Sequence, residues 1–176
     1  MKILLTLLLI AGSLSVNESV FPSISCTNLK DEVIQLPSAI SGKRTVIAMM
    51  LSLKADKMMQ KWNQPLYRAL LADGAGGMMG GNMYNANLYF VGVVKGLQKL
   101  ALPEIIKKAK KEVDVKYHPF FMYTNAEIDL LIKAIDIKNV DEPQFIVLET
   151  DGKILYKTSG EYSDDKLNDI TGSLLN

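Results

Sequence analysis

The stretch Glu142-Pro143-Gln144-Phe145-Ile146-Val147-Leu148-Glu149-Thr150-Asp151-Gly152-Lys153-Ile154-Leu155-Tyr156 decides the fold. A proline opens it, and Phe145 to Leu148 is a short unbroken apolar run. Such runs suit a strand covered on both faces. Asp151-Gly152 is a turn dipeptide, and a second strand-like run, Lys153-Ile154-Leu155-Tyr156-Lys157, follows it. The segment therefore reads as a β-hairpin. Ser163-Asp164-Asp165 then opens a closing helix through Leu167, Ile170 and Leu174.

Working back toward the N-terminus, three more strands are expected. Thr45 to Leu53 is almost wholly apolar between polar flanks, as a buried parallel strand should be. Asn87 to Val94 and Pro119 to Thr124 are the other two, and Val33-Ile34-Gln35-Leu36 suits a short edge strand. Helical spacing links Met58, Met59, Trp62, Leu66, Ala69 and Leu70, with Asp56 as the expected cap and Pro65 as an expected kink. Pro103 suits the first turn of a helix running to Val113. Asn125 is placed to cap another, with Ile128, Leu131, Ile132 and Ile135 facing inward. The expected architecture is an α/β sandwich: a central mixed sheet around Met49, Phe90, Phe121, Phe145 and Leu155, flanked by helices. Trp62 and Phe145 should share its core.

The charges almost cancel, 20 basic against 19 acidic residues and a net charge of +1, so no polyanion such as nucleic acid is implied. The run Lys107-Lys108-Ala109-Lys110-Lys111 lies within a helical pattern and reads as a solvated face. Lys2 followed by Ile3 to Ala11 has the form of a signal peptide. Residues 1–15 are read as that leader, with cleavage after Ser13 or Ser15, and residues 21–176 as the folded domain. The mature chain is expected to be exported, periplasmic or secreted, with membrane association open and no stable transmembrane span. A single cysteine, Cys26, allows no internal disulfide. It reads as a half-buried residue or a lone thiol, with lipidation as an alternative.

The element order resembles the thioredoxin-like superfamily, in the version shared by peroxiredoxins and periplasmic thiol reductases. The residues that carry the resemblance are Leu36-Pro37 with Gly42-Lys43 before the first central strand, Pro65 within the first long helix, and Pro143 through Gly152-Lys153 to Gly160. The resemblance implies a cis Glu142–Pro143 bond beside a redox pair. It places that pair eight and five residues before the helix proline, at Lys57 and Gln60. No cysteine occurs from Thr45 to Ala72, so the family's reductase, isomerase and peroxidase chemistry is not expected. The segment Ala55 to Leu66, with Trp62 three before Pro65, also resembles mitochondrial ATP-synthase assembly factors of the Atp10 type.

The resulting expectation is a non-catalytic binding or assembly protein of the cell envelope with a protein partner and no cofactor. Its partner-binding surface would be lined by Lys57, Gln60, Glu142 and Pro143. Two alternatives stand beside it. One is a thioredoxin-fold enzyme or redox-related protein with an unrecognised site, for which His118, the only histidine, is the candidate. The other is a Cu(I) carrier: Met78, Met79 and Met83 sit in a glycine-rich segment, and soft thioethers suit Cu(I). Met49 and Met50 alternate faces of a strand and cannot share one site. The glycine-rich segment lacks the terminal Lys-Ser/Thr of a phosphate loop.

Overall fold

The computed structural model describes residues 19–40, 42–71, 84–96, 98–125 and 128–175. The leader and the Met78, Met79 and Met83 segment lie outside the described residues. The strands are β1 (Ile24–Asn28), β2 (Val33–Leu36), β3 (Thr45–Met50), β4 (Asn87–Val93), β5 (Phe121–Thr124), β6 (Gln144–Leu148) and β7 (Ile154–Ser159). The helices are α1 (Leu53–Leu70), α2 (Gln98–Glu112), α3 (Ile128–Ala134) and α4 (Asp164–Gly172).

Among the described residues the strands form one mixed sheet in the order β2-β1-β5-β4-β3-β6-β7. β3, β4 and β5 run parallel, and β6, β7 and the β1–β2 hairpin supply antiparallel pairs. β3 lies between β4 and β6, which explains its continuous apolar sequence. Its residues alternate between two cores. Val46 and Ala48 join Trp62, Leu66, Phe90, Phe145 and Ile170 on one face. Ile47 and Met49 join Phe21, Leu36, Met122, Leu131 and Ile146 on the other. Met49 and Met50 thus point to opposite sides, as the period of two requires.

Several boundaries depart from the sequence expectations. β3 ends at Met50, and Ser52, not Asp56, caps α1: its Oγ accepts from the Ala55 N–H at 3.2 Å. The apolar run through Leu51 and Leu53 conceals this stop. Helix α1 continues through Pro65 as one element. Helix α2 starts at Gln98, so Pro103 lies inside it and not in its first turn. A 3-10 helix, Val115–Phe120, replaces the start of the expected third strand, and His118 sits in it. β1 was not expected. It pairs with β2 in register Cys26↔Ile34 and leaves β2 at the sheet edge.

The hairpin turn is set by Gly152, at φ +88°, whose N–H donates to the Glu149 carbonyl at 2.9 Å. A Cβ there would lie 2.6 Å from Pro37 Cγ, so both the conformation and the close approach require glycine. The expected cis bond at Glu142–Pro143 is trans; the cis bond among the described residues is Leu36–Pro37. Pro143 is buried at the entry to β6, and its carbonyl accepts from the Gly160 N–H at 3.1 Å, which extends the β6–β7 pairing by one bond. No helix among the described residues is long and apolar enough to cross a membrane.

Candidate functional site

In an α/β sheet the C-terminal ends of the parallel strands gather loops and helix starts, and ligands meet the protein there. Here β3 delivers the chain into Ser52 and the first turn of α1 at that end. The loop before β6 arrives beside it. Lys54 Nζ donates to Asp141 Oδ2 at 3.1 Å. That contact, then the Ser52 hydroxyl, holds the Asp141 carboxyl below the usual carboxylate range. The Ser52 side chain is thus engaged on two sides, by Ala55 and by Asp141.

The loop is fixed from within. Asn139 Oδ1 accepts from the Asp141 N–H at 3.0 Å, and Gln144 Nε2 donates to the Asn139 and Glu142 carbonyls at 2.9 Å each. Glu142 receives Ser159 Oγ at 2.8 Å and Asn139 Nδ2 at 3.0 Å. Behind it, the Trp62 indole N–H donates to the Gly160 carbonyl at 3.0 Å. Five hydrogen bonds of the loop and one from the buried Trp62 of α1 therefore hold this end of the sheet in place.

Between α1 and this loop lies a cleft of about 510 Å³, lined by Lys54, Lys57, Lys61, Asp141, Glu142 and Glu161 with Met58 and Asn139. The lysines are three, four and seven apart, one stripe of the helix. Lys54 pairs with Asp141, and Lys61 lies 3.8 Å from Glu161. Lys57 makes no ion pair among the described residues and is exposed. A cleft with alternating charges and one unmatched cation suits a polar polypeptide surface carrying a carboxylate.

The structure brings Lys57 and Glu142 to this cleft. Gln60 is exposed on α1 but is not among the cleft-lining residues, and Pro143 is buried behind the loop. Counting back from Pro65 lands in the second and third turns of α1; the start of the helix is Ser52 to Ala55. Sequence reasoning missed Lys54, Lys61, Asp141 and Glu161. The lysine stripe was visible in helical spacing, but its acidic partners come from distant segments.

Neither Ser52 nor Ala55 offers a thiol. Cys26 lies on β1, three strands from β3, and is fully buried. Burial pushes its thiol up to about 11, against a smaller opposing hydrogen bond involving Thr124. This corrects the expectation of a half-buried or accessible thiol: a protonated, enclosed sulfur is a poor nucleophile. His118 is buried too, with Nε2 3.0 Å from the Val113 carbonyl, a structural contact at the end of α2. No group of three or more His, Cys, Asp or Glu among the described residues could hold a metal ion.

No protein-family model matches the chain, and no curated protein sequence does. Solved structures do. A putative electron transfer protein from Aquifex aeolicus VF5 superposes with a TM-score of 0.59 at 15% identity, covering 89% of this chain and 97% of its own. StoA from Bacillus subtilis gives 0.55 at 20% identity, covering 87% and 98%. BsSco, a member of the Sco family of cytochrome c oxidase assembly proteins, gives 0.54 at 12% identity, covering 90% and 95%.

The fold is thioredoxin-like. The superposition spans nearly the full length of these neighbours, so the likeness is not confined to a local motif. At such identities it carries the architecture alone, and chemistry has to be argued from this chain's own residues. Those residues place a thioredoxin-like helix start at Ser52 to Ala55 without a cysteine.

Proposed function

We propose that the chain is a non-catalytic thioredoxin-like binding or assembly protein of the cell envelope. The observation that carries this reading is the composition of the α1 start: disulfide exchange needs a thiolate there, and Ser52 and Ala55 stand in its place. The single cysteine is buried elsewhere. A fixed, charged cleft beside that helix start fits polypeptide recognition better than turnover, because two of its ammonium groups are held in ion pairs, Lys54 with Asp141 and Lys61 with Glu161, and Lys57 is left to meet a partner.

On this reading residues 1–15 are a signal peptide, residues 21–176 are the domain, and the protein works outside the cytoplasm, in the periplasm or secreted. Lys57, Glu142 and the neighbouring Gln60 contact the partner, while Pro143 supports the loop from below. Assembly work is consistent with one neighbour, BsSco, being a member of a family of oxidase assembly proteins, an analogy at the level of fold.

The test is affinity capture from envelope extracts with the mature chain, followed by crosslinking from a photoreactive residue at position 57 or 60. One partner should crosslink, and Lys57→Ala with Glu142→Ala should weaken its recovery at least several-fold. Recovery unchanged in both variants removes the proposed surface. Insulin reduction at ordinary enzyme rates by the unmodified chain removes the non-catalytic reading.

A further inference from the structure

The other flank of the α1 start opens on a second groove, of about 420 Å³, where α1 and α2 diverge over the end of β4. Its walls are apolar: Met50 and Leu53 on one side, Val93 and Val94 at the strand end, Ile105 and Ala109 on α2. Gly92 also lines it, and the missing side chain leaves room: a Cβ there would find its nearest neighbour, the Met122 carbonyl oxygen, at 3.9 Å.

Two aliphatic side chains beside this groove are strongly exposed, Leu53 at 66% and Ile105 at 48%, and Leu100 of the same helix is exposed at 82%. None of the described side chains of α2 is buried, although the helix carries Leu100, Leu102, Ile105 and Ile106. Isolated exposed leucines are ordinary, but apolar residues converging on a concave surface mark an interaction site. Ile105, Lys108, Ala109 and Glu112 follow the i, i+3, i+4, i+7 spacing, a stripe about 10 Å long on which a second helix can lie.

The rim charges choose the partner's sign. Lys108 and Glu112 lie 3.8 Å apart and offset each other. Asp56, exposed at the groove edge, makes no ion pair among the described residues. The charged side chains that line the groove, Asp56, Lys108 and Glu112, therefore sum to one negative charge.

We propose that this groove docks a basic amphipathic helical segment of a partner protein. Its aliphatic side chains enter between Leu53 and Ile105, over Gly92, and a lysine or arginine meets Asp56. The inference rests on the reading of the chain as a binding module but uses a different groove from the Lys57–Glu142 cleft.

The test uses the purified chain and a labelled synthetic peptide, about four helical turns long, with leucines on one face and lysines on the other. Fluorescence anisotropy should show saturable binding. Leu53→Asp and Ile105→Asp should each weaken it at least about tenfold. So should Gly92→Val, which fills the groove from beneath without altering any charge. Asp56→Lys should shift preference to the matching leucine–glutamate peptide. Lys57→Ala and Lys61→Ala should leave binding unchanged, which separates this groove from the charged cleft. Circular dichroism of each variant confirms folding, and the exposed sites tolerate substitution. Absence of saturable binding, binding indifferent to Leu53, Ile105 and Gly92, or unchanged charge preference in Asp56→Lys overturns the proposal. Binding lost only in the Lys57 and Lys61 variants assigns the peptide to the charged cleft and overturns it as well. Self-association abolished by Leu53→Asp makes a second copy the occupant, with the same consequence.

Discussion

The indole N–H of Trp62 donates to the backbone carbonyl of Gly160 at 3.0 Å, in a site where Trp62 is wholly buried. The ring packs on Phe145 with centroids 4.1 Å apart and meets Tyr162 edge-on at 5.1 Å. One side chain thereby joins α1 to β6 and to the segment after β7. Trp62→Phe keeps an aromatic ring but leaves the Gly160 carbonyl without its donor, and should cost about 1–3 kcal/mol. Trp62→Ala should cost about 3–5 kcal/mol, because a large cavity is added. Urea unfolding measures both. A Trp62→Phe variant as stable as the parent would show that the hydrogen bond contributes nothing.

Trp62 and Phe145 were legible in the sequence for a physical reason: large apolar side chains at helical spacing, and a short apolar run, both encode burial locally. So were the parallel centre at β3 and β4 and the closing α4, where Ser163 caps the helix as expected. β1 was not legible. Ile24-Ser25-Cys26-Thr27-Asn28 does alternate buried and open positions, but through small polar residues whose hydropathy barely changes. The cap of α1 was masked because Ser52 is a single polar residue inside an apolar run, while Asp56 offered a more conventional signal. The charged cleft was half legible. Spacing alone puts Lys54, Lys57 and Lys61 on one stripe, but nothing local says that Asp141 and Glu161 will face it. That pairing is made by the sheet, across 87 residues between Lys54 and Asp141.

Gly152 combines two constraints, a left-handed backbone and van der Waals closeness to Pro37. Gly152→Ala should therefore destabilise the domain by more than the about 1 kcal/mol expected for the conformation alone. Pairing it with Pro37→Ala relieves the overlap but not the φ strain, so the double variant should lose less than the sum of the two single losses. Thermal unfolding of the four proteins in this cycle decides. Strict additivity would mean the two residues do not press on each other.

Arg44 Nε and Nη2 both donate to Glu149 Oε2, at 3.0 and 2.8 Å. Arg44 first, then the Thr150 N–H, holds the Glu149 carboxyl below its ordinary value. A carboxyl whose folded value is depressed contributes stability above its unfolded value and loses it as pH falls through the folded one. Both side chains are partly exposed, so the contribution is about 0.5–1 kcal/mol. Glu149→Gln should lower stability by that amount near neutral pH and by nothing once the carboxyl is protonated. A deficit that persists in acid would assign the effect to packing.

Cys26 behaves in the opposite sense. Its folded thiol is raised from 9.0 to about 11. Below the unfolded value both states are protonated and the full stability is present. As pH rises from 9.0 toward 11 the unfolded thiol ionises while the buried one does not, and stability falls. The loss approaches about 2–3 kcal/mol, an order-of-magnitude figure. Cys26→Ala should flatten this part of the alkaline stability curve. In the parent, an alkylating reagent at mildly alkaline pH should label Cys26 only after denaturant is added. Rapid labelling of the folded chain would contradict the enclosed position on β1.

The last prediction asks whether the missing thiols alone separate this chain from disulfide chemistry. Ser52 caps α1 and Ala55 lies three residues on, within its first turn. Residues so spaced at a helix start have Cα atoms close enough for a disulfide. The helix N-terminus and Lys54 both favour a thiolate at position 52, while Asp141 opposes it. Ser52→Cys with Ala55→Cys, made in a Cys26→Ala background, should therefore form one internal disulfide that dithiothreitol reduces. The double variant should accelerate insulin reduction over the parent background. Lys57→Cys with Gln60→Cys shares the spacing but sits in the second and third turns of α1, away from the exposed N–H groups of the first turn that lower a thiol. It should give little acceleration. Equal activity of the two pairs would mean that helix position does not matter and that the Ser52–Ala55 assignment is wrong. If the Ser52 and Ala55 pair forms its disulfide yet reduces nothing, the surrounding surface rather than the thiols has been lost, and binding alone is what this end of the sheet retains.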